Sequence, residues 1–431
     1  MRNLNKNNNI ILITNFYQMR KTLTLIALAA LAISGQAASL DLFTYQAGQA
    51  DPQPQKNDSL GFKFTDVKVN RTTPVKDQNK SGTCWAFSGT SMVEEDLMRK
   101  GSPELDISEM WTVRNCYIDK AKKYIMTGGN INFGQGGGFA DVIYAMENYG
   151  IVPEEAYKGL NYGEDNHSHY EMEAALKGYL DAIKRNPNRK LSTAWLPGFV
   201  AILDAYMGPA VESFTYNGKT YTPQEFAKAM KFVPEEYVAF TSYTHHPFYK
   251  PFQMEISDNW LWSESINVPM EEMKQIVDEA LENGFTVGWA ADVSEKGFKW
   301  RNGVALLPAE KTMEDMDNAE VARWTSLSAA EKAAMQYDIK GPGKERTITQ
   351  EDRQRTFENK ETTDDHGMVI VGYATDQNGT RYYKVKNSWT DKQIYGGYLY
   401  VSEPYFLEKT LDIMVNKAAV PNAIAKKVGL K

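Results

Sequence analysis

Residues 78–95 read QNKSGTCWAFSGTSMVEE. The stretch begins as a loop and tips into a helix, so Cys84 falls at the first helical turn. The chain spends only 2 cysteines on 431 residues, and this one stands directly before Trp85. A helix N-terminus offers free N–H groups and partial positive charge. Both stabilise a thiolate, the reactive form of cysteine. The plainer reading is a small buried hydrophobe, so the rest of the chain must decide.

Composition is that of an ordinary globular protein, with 42% hydrophobic and 24% charged residues and a net charge of −7. That balance does not favour nucleic acid, which asks for a basic face. The length allows two or three domains, or one large elaborated one. Near the front, Arg20 and Lys21 precede an apolar run from Leu23 to Ile33, then Gly35 and Ala37. This is the order of a secretory signal, and the run is too short to span a bilayer. Residues 1–37 are therefore expected to be a leader, with a spurious upstream start before Met19. The mature chain is expected to be exported, periplasmic or secreted, with no membrane attachment. Residues 38–61 read as a polar tail.

Beyond the tail, residues 62–164 alternate loops and helices. Ser88 to Lys100 and residues 139–149 are helical, the second stopped by Gly150. Residues 165–262 read as a largely helical insertion, from HYEMEAALKGYLDAIKRN and TPQEFAKAMKF, before an irregular aromatic stretch from 236. Residues 263–431 turn β-rich. A helix over 270–284 leads into FTVGWAADV, and GMVIVGYAT, RYYKVKNSW and GGYLYVSE follow as strands. A polar, helix-prone excursion occupies 305–360. Helices early and an antiparallel sheet late make an α+β protein of two facing halves.

Two facing halves form a cleft. The first brings Cys84. The second brings His366, opening a strongly apolar strand, and Asn387 on the next strand. A Cys–His pair can stand as thiolate and imidazolium, a nucleophile ready without a separate activation step. Asn387 would fix the imidazole by accepting from a ring N–H. Gln78, six residues before Cys84, would donate with the Cys84 N–H to a developing oxyanion, a contribution of roughly 3–4 kcal/mol. Trp389 would shield the His–Asn hydrogen bond from water. Asp364 and Asp365 would either raise the His366 pKa or stand as plain solvated charges.

The blocks PVKDQNKSGTCWAFS, DDHGMVIVGYA and VKNSWTDKQIYGGYLY resemble the three signatures of papain-like cysteine peptidases. Ser81 stands where papain proper has a disulfide-forming cysteine. The resemblance is therefore to the bleomycin hydrolase and aminopeptidase C branch, over roughly residues 62–421. It implies a papain-like two-lobed fold and a thiol protease, with Cys84, His366, Asn387 and Gln78 catalytic. Gly136 and Gly137 in GQGGGFADV would be the backbone wall that pairs with extended substrate; a simple tight turn is the alternative. In this branch the chain's own C-terminus blocks the cleft, so Lys431 would present its carboxylate to the substrate's α-ammonium. Trp389 would also border the substrate. Yet the tail after Val420 is short, and Lys426, Lys427 and Lys431 would repel an amine. The resemblance also implies a homohexamer. Cys116, its partner position being Ser81, is expected to be an unpaired buried thiol.

No cofactor is expected. His167, His169, His245 and His246 lack a ligand set with metal-site spacing, so surface or packing roles are expected. The sequence thus points to a cysteine peptidase acting on peptides, first as an aminopeptidase. An endopeptidase and a non-catalytic papain-like binding scaffold are the alternatives.

Overall fold

In the computed structural model, which describes residues 58–310, 316 and 318–430, strand β1 (Thr65–Val69) leads into a coil carrying Gln78. The leader, and the tail up to residue 57, lie outside the described residues. Helices α1 (Cys84–Arg99), α2 (Glu109–Met126) and α3 (Phe139–Tyr149) follow. α1 is a central helix, buried all the way from Trp85 to Met98. Small residues let its neighbours in: a Cβ on Gly89 would come 2.5 Å from Val142 of α3. Ser108 caps α2 by accepting from the Trp111 N–H at 3.0 Å. Gly150 stops α3 at φ +74°, a conformation that suits glycine.

The insertion is helical only in its earlier part. α4 (Tyr170–Lys184) and α5 (Trp195–Met207) precede a hairpin of β2 (Phe214–Tyr216) and β3 (Lys219–Tyr221), then α6 (Pro223–Ala229). From Tyr237 the chain joins the main sheet as β4 (Tyr237–Thr241), β5 (Pro251–Gln253) and β6 (Glu264–Asn267). This corrects the expected insertion boundary of 262. The segment YVAFT is aromatic and β-branched, but its partner is the last strand of the chain, Asp412 pairing with Thr241. No local sequence signal announces a partner so far away.

Next come α7 (Met270–Glu282), β7 (Val287–Ala291), β8 (Phe298–Lys299) and β9 (Val304–Ala305). The polar excursion supplies α8 (Asn318–Ser326), α9 (Ala329–Gln336) and α10 (Gln350–Glu358). The chain closes with β10 (His366–Thr375), β11 (Arg381–Lys386), β12 (Tyr398–Ser402), α11 (Glu403–Lys409), β13 (Thr410–Asn416) and α12 (Asn422–Val428). The sheet has 11 strands in the order β5-β6-β4-β13-β7-β10-β11-β12-β9-β8, with β1 also on β10. Its pairs are antiparallel apart from β4–β6 and β9–β12. The architecture is α+β, as the sequence implies.

Strand alternation splits the core into two. Val369, Val371 and Met414 face α1 and the helical lobe. Met368, Ile370, Ile413 and Val415 face α7, and Ile424 of α12 joins that second core.

Candidate active site

The backbone places a helix start and a strand start together. The first helical hydrogen bonds of α1 are accepted by Thr83, from Ala86 at 2.9 Å and Phe87 at 3.2 Å. The N–H groups of Cys84 and Trp85 are therefore left over, and the Trp85 amide reaches the Cys84 sulfur. On the sheet side, the amide of Gly367 also points to that sulfur. Position 367 must be glycine, because a Cβ there would come 2.8 Å from Ser88 Oγ and 3.3 Å from the Trp85 Cα. His366, one residue earlier, is thereby held at the mouth of α1.

His366 Nε2 and Asn387 Oδ1 are 2.7 Å apart. Oδ1 also accepts the Ser388 N–H at 2.7 Å, which identifies it as the carbonyl oxygen. Nε2 therefore carries the proton, and Nδ1 is left to accept one. Trp389 lies 4.3 Å from the imidazole, ring centre to ring centre. It is backed by Trp300 and Phe298. Lys386, one residue before Asn387, ties this strand to α1 by donating to Ser91 Oγ at 2.8 Å and Thr73 Oγ1 at 3.0 Å.

Gln78 is fixed from both ends. Its Nε2 donates to the Ser81 carbonyl at 2.7 Å, and its Oε1 accepts from Ser388 Oγ at 2.7 Å. One N–H of the amide remains for a substrate oxygen. Ser81, where papain proper has a cysteine, braces the loop differently: its hydroxyl bonds the Gln78 carbonyl at 2.7 Å and Thr83 Oγ1 at 2.6 Å. Cys84 and Cys116 are both free, and Cys116 is buried in α2.

Burial works against charge on both members of the pair. Burial pushes the Cys84 thiol up to about 12, with Asp364 and Asp258 adding to the rise and the Gly367 and Trp85 amides opposing it. Burial lowers His366 to about 4, against the pull of Asn387 and Asp365. Burial thus disfavours the charged form of each group taken singly, and an ion pair would have to draw its stability from the mutual attraction of the two. The helix terminus and neighbouring carboxylates expected to bias the pair are outweighed by desolvation.

Gly136 and Gly137 line the same region. Neither has a positive φ, so backbone conformation does not require glycine at either position. Space does. A Cβ on Gly137 would come 3.0 Å from the Trp85 ring and 2.5 Å from Asp141 Oδ2, and one on Gly136 would overlap the Asp258 carboxylate. Beneath this wall Lys120 donates to the carbonyls of Gly136 and, at 3.0 Å, Gly134. Sequence reasoning missed Asp258, Lys120 and Ser388; Ser388 lay inside a quoted block, while Asp258 in ISDNW carries no signal of its own.

Lys431 lies outside the described residues. The tail before it forms α12, with Ile424 buried among the side chains that cover α7. Lys427 pairs with Glu272 of α7. The tail is thus anchored on the sheet face opposite α1. The expected occupation of the cleft does not fit residues 422–430.

Among the described residues, one cluster has metal-like spacing: His245, His246 and Glu255. Gln354 Oε1 accepts from the Thr244 N–H, so its Nε2 is the group 3.0 Å from His245 Nδ1. His245 Nδ1 is then an acceptor, and Nε2 holds the proton it gives to Glu255 at 3.1 Å. That tautomer does not offer Nε2 to a cation, and the cluster reads as a hydrogen-bonded clamp.

The family described as "Papain family cysteine protease" matches residues 62–203, and "Peptidase C1-like family" matches residues 344–430. These two matches contain the Cys84 block and the His366 and Asn387 blocks. The chain is a cysteine peptidase of papain-like fold, similar to papain-family proteins in both blocks that carry its site residues. Aminopeptidase C of Lactobacillus delbrueckii subsp. lactis is 22% identical over 400 residues, covering 82% of each chain. Bleomycin hydrolase of Mus musculus is 21% identical over 408 residues, covering 84% of each. The crystal structure of PepW from Lactobacillus rhamnosis HN001 (DR20) has a TM-score of 0.63 at 17% identity, covering 85% of this chain and 84% of that one. The papain-like peptidase described here therefore shares the branch of bleomycin hydrolase and aminopeptidase C across most of its length.

Proposed function

We propose that this cysteine peptidase is an aminopeptidase of the bleomycin hydrolase type, with Cys84 as nucleophile. The observation that carries the chemistry is the convergence on one sulfur: the Gly367 amide touches it, and the adjacent His366 has its free nitrogen on the Nδ1 side. As Cys84 Sγ attacks the scissile carbonyl, His366 Nδ1 takes the thiol proton. The carbonyl oxygen becomes an anion that receives the spare Gln78 N–H and the Cys84 N–H. Collapse breaks the C–N bond, and His366 returns the proton to the leaving amine. Water then hydrolyses the thioester, with His366 again taking and returning a proton. Asn387 keeps the imidazole in the tautomer this cycle needs.

The aminopeptidase reading is supported by similarity over 82% of the chain to a relative named Aminopeptidase C, and over 84% to one named Bleomycin hydrolase. A leucyl fluorogenic amide and its N-acetylated twin test it. Cleavage of the free-amine form alone supports the reading; equal cleavage replaces it with an endopeptidase, which the α12 position favours. Full turnover in Cys84→Ala would remove Cys84 as nucleophile. We further propose export after leader removal, supported by the order of residues 19–37 and checked by N-terminal sequencing of the mature chain. The homohexamer of this branch is a proposal of the same standing, checked by sedimentation.

A further inference from the structure

Both donors assigned to the oxyanion hang on one loop, the Gln78 amide at its start and the Cys84 N–H at its end. That loop has a weak point at Gly82, because a residue without a Cβ leaves its backbone free to turn. The peptide plane joining Ser81 to Gly82 matters most. Its carbonyl edge holds the Gln78 amide, Nε2 donating to the Ser81 oxygen at 2.7 Å. Its other edge is the Gly82 N–H, and a peptide plane turns as one unit. Whatever holds that N–H therefore also holds Gln78.

Gln135 holds it. Its Oε1 accepts the Gly82 N–H at 2.7 Å, and its backbone carbonyl accepts from Trp85 Nε1 at 2.8 Å. One residue thus grips the chain on both sides of Cys84. The approach is close, since a Cβ on Gly82 would come 3.0 Å from the Gln135 Cβ. Gln135 is buried and is itself tied down. Its Nε2 donates to Glu173 Oε2 at 2.6 Å, a bond strengthened by the charge of the acceptor. Glu173 lies in the first turn of α4, so the clasp ends in the insertion. The same part of the insertion meets the loop again at Lys80, whose N–H and carbonyl bond the backbone of His167 and His169. The Glu173 N–H bonds the His169 carbonyl at 2.8 Å, so the two grips move together.

We propose that Gln135, anchored by Glu173, is a positioning residue for the oxyanion hole, so that the insertion sets where the Gln78 donor stands. This rests on the oxyanion roles given above to Gln78 and the Cys84 N–H, and adds the part that holds them. Such a donor works when it is already aimed at the point where charge develops. A turn of the Ser81–Gly82 plane carries Gln78 off that point. Two reactions of the same sulfur separate this role from general support. With a peptide aldehyde, sulfur adds to the carbonyl carbon, the C=O electron pair moves onto oxygen, and the thiol proton ends there. The product is a hemithioacetal whose oxygen occupies the oxyanion position. With iodoacetamide, sulfur displaces iodide from a CH₂ carbon, His366 takes the proton, and no charge develops on a carbonyl oxygen.

The test uses full-length enzyme and the variants Gln135→Ala, Glu173→Ala, Glu173→Gln and Gln78→Ala. Each is read on whichever of the leucyl and acetyl-leucyl coumarin amides wild type cleaves better, with the matching aldehyde as inhibitor and iodoacetamide as alkylating agent. In Gln135→Ala, kcat falls about 10- to 100-fold, less than for losing a donor outright, and the aldehyde inhibition constant rises by a similar factor. KM and the alkylation rate stay within about twofold, since neither reads charge on a carbonyl oxygen. Glu173→Ala moves kcat and aldehyde inhibition the same way by less. Glu173→Gln, which still accepts from Gln135, stays near wild type. Unchanged kcat and aldehyde inhibition in Gln135→Ala and Glu173→Ala overturn the proposal, and Glu173→Ala decides alone if Gln135→Ala does not fold. Alkylation that slows as much as kcat also overturns it, because Gln135 then supports the whole cleft. Unchanged aldehyde inhibition in Gln78→Ala instead removes the donor assignment beneath the proposal.

Discussion

The two flanks of the Cys84 sulfur are built differently. On the reacting flank, Gln78, His366, Asn387 and Ser388 come from distant segments, yet each is fixed by a short hydrogen bond. Two bare amides, of Trp85 and Gly367, complete it. On the receiving flank, Gly136 is backbone alone, and Asp258 arrives on a turn of the insertion. The reacting flank is over-determined, so altering one member costs chemistry. The receiving flank depends on how one turn packs, so selectivity can change while the chemistry stays.

The sharpest break of this contrast is His366→Ala. It is expected to lower kcat by about 10⁴-fold or more, because the base and the Asn387 hydrogen bond are lost together. The same residue sets the acid limb. Only neutral His366 can accept the thiol proton, so kcat/KM falls as pH drops through about 4 and is level above it. With the thiol near 12, ultraviolet thiolate absorbance should show no step between about pH 5 and pH 9 in the free enzyme. A step that His366→Ala abolishes would restore the ion-pair description. Next in size, Gln78→Ala is expected to reduce kcat about 10²- to 10³-fold with little change in KM, as for loss of an oxyanion donor. An effect carried wholly by KM would move Gln78 to the receiving flank.

This contrast also explains what could be read in the sequence. The reacting flank is made of residues whose type is dictated by chemistry and whose backbone is dictated by a helix start or a strand start. Cys84, His366 and Asn387 therefore sit in compact blocks, and helices such as Phe139–Tyr149 and Met270–Glu282 follow from apolar spacing. The receiving flank depends on partners far apart in sequence. β4 pairs with β13, which carries the insertion back into the sheet and sets the turn bearing Asp258 against Gly136. Nothing in ISDNW encodes that meeting. The burial that pushes the Cys84 thiol up and the His366 imidazole down was equally hidden, because it depends on packing and not on residue type.

A smaller effect is expected behind the reacting flank. The Lys80 N–H bonds the His167 carbonyl at 3.0 Å, and the His169 N–H bonds the Lys80 carbonyl at 3.1 Å, bracing the loop before Cys84. The His169 ring is fully buried, and neither nitrogen has a partner among the described residues. Burial lowers it from 6.5 to about 3. A depressed histidine pKa means the unfolded chain binds the proton first, so stability is lost as pH falls below about 6.5 toward 3. His169→Phe should remove that loss, worth about 2 kcal/mol at pH 5 compared with pH 7.5. Denaturant unfolding at the two pH values checks it. An unchanged difference between them would show that the ring finds water or another partner.

The smallest expected effect concerns the tail, and it separates this chain from the branch it resembles. If Lys431 presented its carboxylate to the substrate, deleting residues 430–431 would erase the preference for free amines and raise endopeptidase activity. Here Ile424 is buried in the core over α7, a burial that contributes roughly 2 kcal/mol, and Lys427 pairs with Glu272. Lys431 is one residue beyond Leu430, whose N–H still bonds the Ala425 carbonyl at 2.9 Å. Deleting residues 430–431 should therefore change the free-to-acetylated ratio by less than about twofold, within the spread of surface changes. A collapse of that ratio would return amine selection to the C-terminus.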